Sequence, residues 1–268
     1  MSSLRRTLRA YPTLLRVGFA EVVAYRAEFL VWILTTNMPF VMLAIWHAVA
    51  VDGPLGRFDQ SRFVAYYLGA WVVRLLTSTW VVWEMSMDIR NGSLAPRLLR
   101  PLHTLFSYSA QHLAAVPMRL LVVSPVIILM IASAPEHLAL GDPRLLAVFL
   151  LSLVGAWFLI FFTMVLMGSL AFFLESSLGI FELWLGLHAI FSGYLVPLER
   201  LPGWVGRLAA YLPFRSMLAF PVETLVGLDP WPQALRDLGI QLLWAVGTAV
   251  VALDVWRRGV RRFVAFGG

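Results

Sequence analysis

The chain has 268 residues, 60% of them hydrophobic and 13% charged, with a mean hydropathy of +0.80 and a formal net charge of +6. A soluble domain carries roughly a quarter charged residues, so this chain holds more apolar side chain than a water-facing surface can hide and reads as a polytopic membrane protein. Six or seven spans of about 20 residues use nearly all of it, which excludes a soluble nucleotide-binding or catalytic domain.

All 21 basic residues are Arg, as the codon usage of a GC-rich genome would give, and zero Cys leaves no disulfide or thiolate metal site. The positive charge would point to nucleic acid in a soluble domain; here the position of each Arg matters more, because Arg is retained on the cytoplasmic side of a membrane.

From the start of the chain, Leu4, Leu8, Tyr11, Leu15 and Val22 recur at helical spacing among Arg5, Arg6, Arg9 and Arg16. Residues 1–28 are therefore predicted to form an amphipathic helix in the cytoplasmic interface, with Pro12 in its first turn. The first apolar run, 29–51, comes too late and is too long for a cleaved signal, and it is expected to stay in place as the first span, kinked at Pro39. A second span over 63–85 carries Arg74, which must face protein or water. Residues 86–113 read as a basic cytoplasmic segment, and the third span, 114–134, holds Arg119 within snorkelling reach of the headgroups.

The fourth span, 145–174, is an uncharged run of 30 residues, about 45 Å of helix, so it is tilted or projects beyond the bilayer. A tight turn at Glu175 to Ser177 leads to the fifth span, 178–196, with Glu182 and His188. Six prolines then break 197–237 into apolar pieces too short to cross, suited to the outer interface or to re-entry under cover. The last span, 238–256, precedes Arg257, Arg258, Arg261 and Arg262. With six spans both termini share a side, and 12 Arg fall on it against seven on the other; both termini are predicted cytoplasmic.

Without Lys there is no Gly-rich phosphate loop of the Walker type, so the chain does not hydrolyse ATP alone by that route. The five His never pair with a Glu at zinc-protease spacing. His188 and Ser192 on one helix, with no oriented acid, make a poor nucleophilic site. Glu84 and Asp88, one turn apart, suit a capping or contact role better than a divalent metal, since Arg90 is close by. Intramembrane charges are few, namely Arg74, Arg119 and Glu182, which weighs against a carrier driven by an ion gradient; that carrier, and an intramembrane enzyme, are the alternatives.

Two segments look specialised. Glu84 to Leu105 contains an Asn91-Gly92 turn signal and Pro96 opening a short helix with Leu98 and Leu99, a basic apolar element suited to docking in a partner's groove. Phe191 to Glu223 holds broken apolar helices suited to capping the outer end of a pathway.

Taken together, Glu84…Asp88-Ile89-Arg90-Asn91-Gly92-Ser93-Leu94…Leu98-Leu99-Arg100-Pro101 and Ser192-Gly193…Pro197-Leu198…Leu201-Pro202…Leu212-Pro213-Phe214 resemble the small six-span permeases of the ABC-2 type transporter superfamily, over essentially the whole chain. The resemblance implies an all-α membrane domain with an interfacial N-terminal helix, a cytoplasmic coupling helix between spans two and three, and a re-entrant outer hairpin before span six. It implies an exporter permease in a bacterial inner membrane, paired with a second permease copy or paralogue, moving a small or amphipathic substrate. A separate ATPase dimer would hold ATP and magnesium, and this chain no cofactor. Glu84, Asp88, Arg90, Gly92, Leu94, Leu98 and Arg100 then fall in the ATPase-coupling region, and Ser192, Gly193, Pro197, Leu201, Pro202 and Pro213 in an outer gate. On that reading Leu98→Asp uncouples the complex.

Overall fold

Backbone polar groups inside hydrocarbon must pair within their own segment, and helices do this without a neighbour. The structure, a computed structural model, describes residues 3–34, 36–174 and 177–263. Among them the chain is all-α, and the only extended pairing is an isolated bridge between Leu55 and Phe58.

The helices in order are α1 (Ser3–Ala24), α2 (Arg26–Leu34), α3 (Met38–Val49), α4 (Gln60–Thr77), α5 (Val81–Arg90), α6 (Leu94–Leu98) and α7 (Thr104–Ala114). They continue as α8 (Val116–Ser133), α9 (Pro143–Ser169), α10 (Leu178–Phe191), α11 (Gly203–Tyr211), α12 (Pro213–Met217), α13 (Ala219–Leu225) and α14 (Trp231–Arg262). Four stretches among the described residues are long and apolar enough to cross a membrane: Arg26–Asp52, Thr104–Ser133, Pro143–Phe172 and Trp231–Arg262. Their outer faces carry large apolar side chains, with Leu243 75% and Leu121 67% exposed, a surface that only lipid can solvate.

Several boundaries differ from the sequence reading. Pro12 sits inside α1 rather than in its first turn. The first apolar run breaks just before Pro39, which lies in the first turn of α3 where its missing N–H costs nothing. The second run is not continuous over 63–85: α4 stops at Thr77 and α5 restarts at Val81. Helix α10 has only 14 residues, about 21 Å, shorter than the run from which a fifth span was expected. Of the turn at Glu175 to Ser177, the first two residues lie outside the described set; Ser177 packs on α5, its hydroxyl donating to Ser86 Oγ at 3.2 Å.

The two longest helices, α9 and α14, lie along each other. Gly155 allows the close approach, since a Cβ there would meet the Gln241 side chain. Gln241 Nε2 donates to the Ser152 and Ser216 carbonyls at 3.0 and 2.7 Å, tying α14 to α9 and α12. At one end of the bundle Phe58, Phe63, Tyr66 and Tyr67 pack with Val222 of α13. At the other, Val82, Met85 and Tyr108 pack with Met164 and Trp256. We call these the α13 end and the α6 end. Gly155→Val is expected to lower the thermal midpoint in detergent by the equivalent of about 1–3 kcal/mol of overpacking, whereas Gly186→Val, whose Cβ meets nothing within 4 Å, leaves it unchanged.

Candidate functional site

The interruption between α4 and α5 falls on Thr77-Ser78-Thr79, three consecutive hydroxyl residues in an apolar run. Such side chains offer the backbone alternatives to the helix ladder. Thr77 Oγ1 donates to the Val73 carbonyl at 2.8 Å, Ser78 turns extended at ψ 142°, and Thr79 Oγ1 accepts from the Val81 amide at 3.4 Å. The Ser78 carbonyl, left without a helical partner, accepts from Arg119 of α8 at 2.7 Å. Arg119 therefore does not snorkel: it is 6% exposed and turned inward, because a freed carbonyl inside the bundle is the better partner. Arg74, one turn before Ser78, stacks its guanidinium 4.4 Å from the Tyr194 ring centroid.

A cleft of about 830 Å³ opens beside this break, walled by α2, α10 and the α4–α5 junction. Arg74, Arg119, Glu28, Glu84 and Glu182 all reach it, between Trp80, Trp83 and Phe181. The three charged residues read from sequence as intramembrane thus meet in one place. Glu84 joins them there instead of facing the α6 loop.

Beyond Glu84, α5 carries the chain to the α6 end, where Gly92 takes φ +74° to turn it into α6. Asp88 locks that turn. Its carboxylate accepts from Ser93 Oγ at 2.7 Å and from the Tyr108 hydroxyl at 2.5 Å, and pairs with Arg97 Nε at 3.1 Å. The Arg97 guanidinium lies 5.0 Å from the Tyr108 ring centroid, so a single carboxylate fastens α5, α6 and α7 together. Leu94 is fully buried and Leu98 packs beside it in the same core. The sequence reading placed Leu98 outward; the helical phase turns it inward and leaves Leu99 at 87% exposure. Arg90, at the end of α5, and Arg100 are exposed as well. Leu98 and Arg100 also border a groove of about 470 Å³ shared with Arg257 and Arg261 of α14, a basic surface. Burial, with Arg257 near, holds the His103 imidazole below its usual value, which suits its neutral role of accepting the Leu105 amide as the cap of α7.

At the opposite end, α10 stops at Phe191 and the chain reverses at Gly193, φ +83°. A Cβ there would strike the Tyr66 hydroxyl and Ala219, and Tyr66 donates to the Gly193 carbonyl at 3.0 Å. Tyr67 and Trp46 both donate to the Leu195 carbonyl, at 3.0 and 3.1 Å. Ser192 and Pro197 are buried, Leu201 and Pro213 partly so, while Pro202 is exposed and hands the chain to α11. Pro213 opens α12 at a position that needs no N–H.

One residue that the sequence reading passed over organises this end. Arg215 pairs with Glu223 at 2.7 Å, Asp237 at 2.9 Å and Asp229 at 3.3 Å, all three carboxylates being buried. Burial pushes the Glu223 and Asp229 carboxyls up, and the Arg215 charge pulls them back. The Pro-bounded apolar segment around Arg215, with a lone cation inside it, was the available signal. Arg57 adds a tie from the preceding loop, pairing with Glu199 and donating to the Leu228 carbonyl at 2.6 Å.

The family model of the ABC-2 family transporter proteins matches residues 53–267. The chain belongs to the ABC-2 transporter family. It is thus a multi-pass membrane permease of the ABC transporter type, a class of subunit that is generally not catalytic by itself and typically works with an ATPase partner. No curated protein and no solved structure matches it. The match spans the helix break, the Asp88 clamp and the Gly193 reversal of the permease.

Two outcomes follow from this geometry. Arg119→Leu is expected to destabilise the permease by about 1–3 kcal/mol through the orphaned Ser78 carbonyl, measured as a lower thermal midpoint that Arg119→Lys partly restores. Asp88→Ala is expected to raise the rate of trypsin cleavage after Arg97 by about tenfold or more, the size expected from losing charge-assisted bonds; an unchanged rate would show that the clamp does not hold the loop.

Proposed function

We propose that this permease is one of two membrane subunits of an ATP-binding-cassette exporter, driven by a separate pair of ATPase subunits that hold ATP and magnesium. The observation that carries the reading is the α6 knob: a helical turn clamped by Asp88 to both flanking helices, presenting Leu99 next to Arg100 in the chain, with Arg90 exposed at the end of α5. An exposed leucine on a rigid basic support is poorly placed for water or lipid and well placed for an apolar pocket with an acidic rim on a partner. The groove lined by Arg257 and Arg261 extends the same surface.

On this reading the chain forms a single transmembrane domain over 1–268. Six spans follow the boundaries 29–51, 63–85, 114–134, 145–174, 178–196 and 238–256, with α4 and α5 sharing the second and α10 as the short fifth. Helix α1 lies in the cytoplasmic interface, the α6 loop and both termini face the cytoplasm of a bacterial inner membrane, and α11 to α13 form the outer hairpin. The interfacial packing is supported by Tyr11, which bonds Ser109 at 3.0 Å and meets the Phe106 ring edge-on. The exposed Trp204 and Tyr211 of α11 suit the opposite interface.

Closure of the ATPase pair around ATP would displace the α6 knob. Because Asp88 couples α6 to α5 rigidly, the movement reaches the break at Ser78 to Trp80, where the backbone is no longer continuous helix. There it changes the width of the cleft between α2 and α10, so the binding energy of ATP biases one arrangement over the other. A second copy or paralogue completes the pathway for a small or amphipathic cargo.

The test is co-purification of the ATPase with the permease in mild detergent. Leu99→Asp is expected to cut ATPase recovery by about tenfold or more, as loss of an interface hot spot does, with the permease's own thermal midpoint unchanged. Leu98→Asp, which charges a core position, is expected to lower the midpoint instead. Full ATPase recovery with Leu99→Asp contradicts docking through this helix.

A further inference from the structure

The cleft beside the helix break continues into a second hollow of about 480 Å³ between α1, α2 and α7, and Glu28 and Glu84 line both. Charge is divided unequally between them. Arg74 and Arg119 reach only the larger one, where each already has a partner in Tyr194 or the Ser78 carbonyl. The smaller one adds Glu21 to the two shared carboxylates and no Arg. Three carboxylates thus gather at one mouth of a chain whose formal net charge is +6.

A second observation points the same way. Among the described residues, eight buried side-chain polar atoms lack a hydrogen-bond partner, and three of them belong to the smaller hollow: Glu84 Oε2, Gln111 Oε1 and His112 Nε2. Glu84 Oε1 is 3.3 Å from His112 Nε2, off the direction of a hydrogen bond. Two of the three orphans are pure acceptors, and unpaired buried acceptors are costly. What they lack is a donor, and beside three carboxylates a charged N–H donor is favoured most. The larger cleft supplies the complement, an apolar wall in which Trp80 and Trp83 stand edge-on to Phe181 with ring centroids 6.4 and 6.2 Å apart.

We propose that the two hollows form one binding site for a lipophilic amine in its protonated form. The ammonium group donates to Glu84 and Gln111 in the acidic hollow, and an aromatic or aliphatic body lies against the tryptophans of the larger one. An anionic amphipath is disfavoured, because its head would face three carboxylates while both arginines are engaged elsewhere. As a cargo assignment the proposal rests on the exporter reading; as a binding site it stands without it.

The test uses the full-length permease in phosphatidylcholine nanodiscs and a matched pair of probes, dansylcadaverine and its uncharged N-acetyl derivative, read by energy transfer from tryptophan against empty discs. The amine is expected to bind saturably and about tenfold more tightly than the acetylated probe, the factor one charge-assisted hydrogen bond supplies. Glu84→Gln is expected to abolish that preference and leave the acetylated probe's affinity unchanged. Glu28→Gln, at an exposed position that lines both hollows, is the second variant should Glu84→Gln not fold, and is expected to reduce the preference more weakly.

Equal affinity for the two probes, or an undiminished preference in both variants, overturns the proposal. Discs containing phosphatidylethanolamine separate the two sources of a lipophilic amine: displacement of the probe assigns the site to a lipid headgroup, and continued binding assigns it to a soluble amine. ATPase recovery is measured on the same preparations. Retained ATPase without amine preference overturns the site and leaves the exporter reading standing, and amine preference without ATPase does the reverse.

Discussion

A helix that stops inside hydrocarbon releases carbonyls and amides for which lipid offers no partner, so an interruption survives only where neighbours satisfy it. Between α4 and α5 this is done by local hydroxyls and by Arg119, whose guanidinium reaches the Ser78 carbonyl from α8. The rest of the functional geometry depends on that one accommodation. It lets α5 leave the line of α4, carry Glu84 to the wall of a cleft and deliver Asp88 to the α6 end. Without Arg119 the Ser78 carbonyl would be left buried and unpaired at the junction of α4 and α5.

The same principle explains why charged residues in this apolar chain sit where they do. Arg74 rests on Tyr194, Asp88 on Arg97 and Tyr108, and Arg215 on three carboxylates. A buried ion pair adds little net stability over an apolar replacement but is strongly destabilised when one member is removed. These groups therefore act as fasteners: Asp88 fixes the loop at one end, and Arg215 fixes the broken segment at the other. Between them α9 and α14 lie along each other, tied by the Gln241 side chain.

Much of this was legible in the sequence. Hydropathy and the scarcity of charge gave the all-α membrane class, and the motif around Asp88 to Pro101 located a specialised turn. The spacing of Pro12 and Pro39 misled, because a proline inside a helical stripe does not say which side of it the helix continues. The break at Thr77 to Thr79 has a visible signal in three adjacent hydroxyl residues, but average hydropathy hides it. Which leucine of Leu98-Leu99 faces out depends on one residue of helical phase, and a five-residue helix is too short to fix that phase from sequence. The Arg215 cluster joins residues eight to 22 positions apart, brought together by α12, α13 and the start of α14 rather than by any local pattern.

The central claim is that the α6 knob, held by Asp88, is the surface through which ATPase movement enters the membrane domain. The most direct measurement places a photo-crosslinking amino acid at position 99 of the permease, in membranes that also contain its ATPase, with a control at position 204 on α11. The account predicts an ATPase adduct from position 99 and none from 204. An adduct from 204 with none from 99 would contradict it.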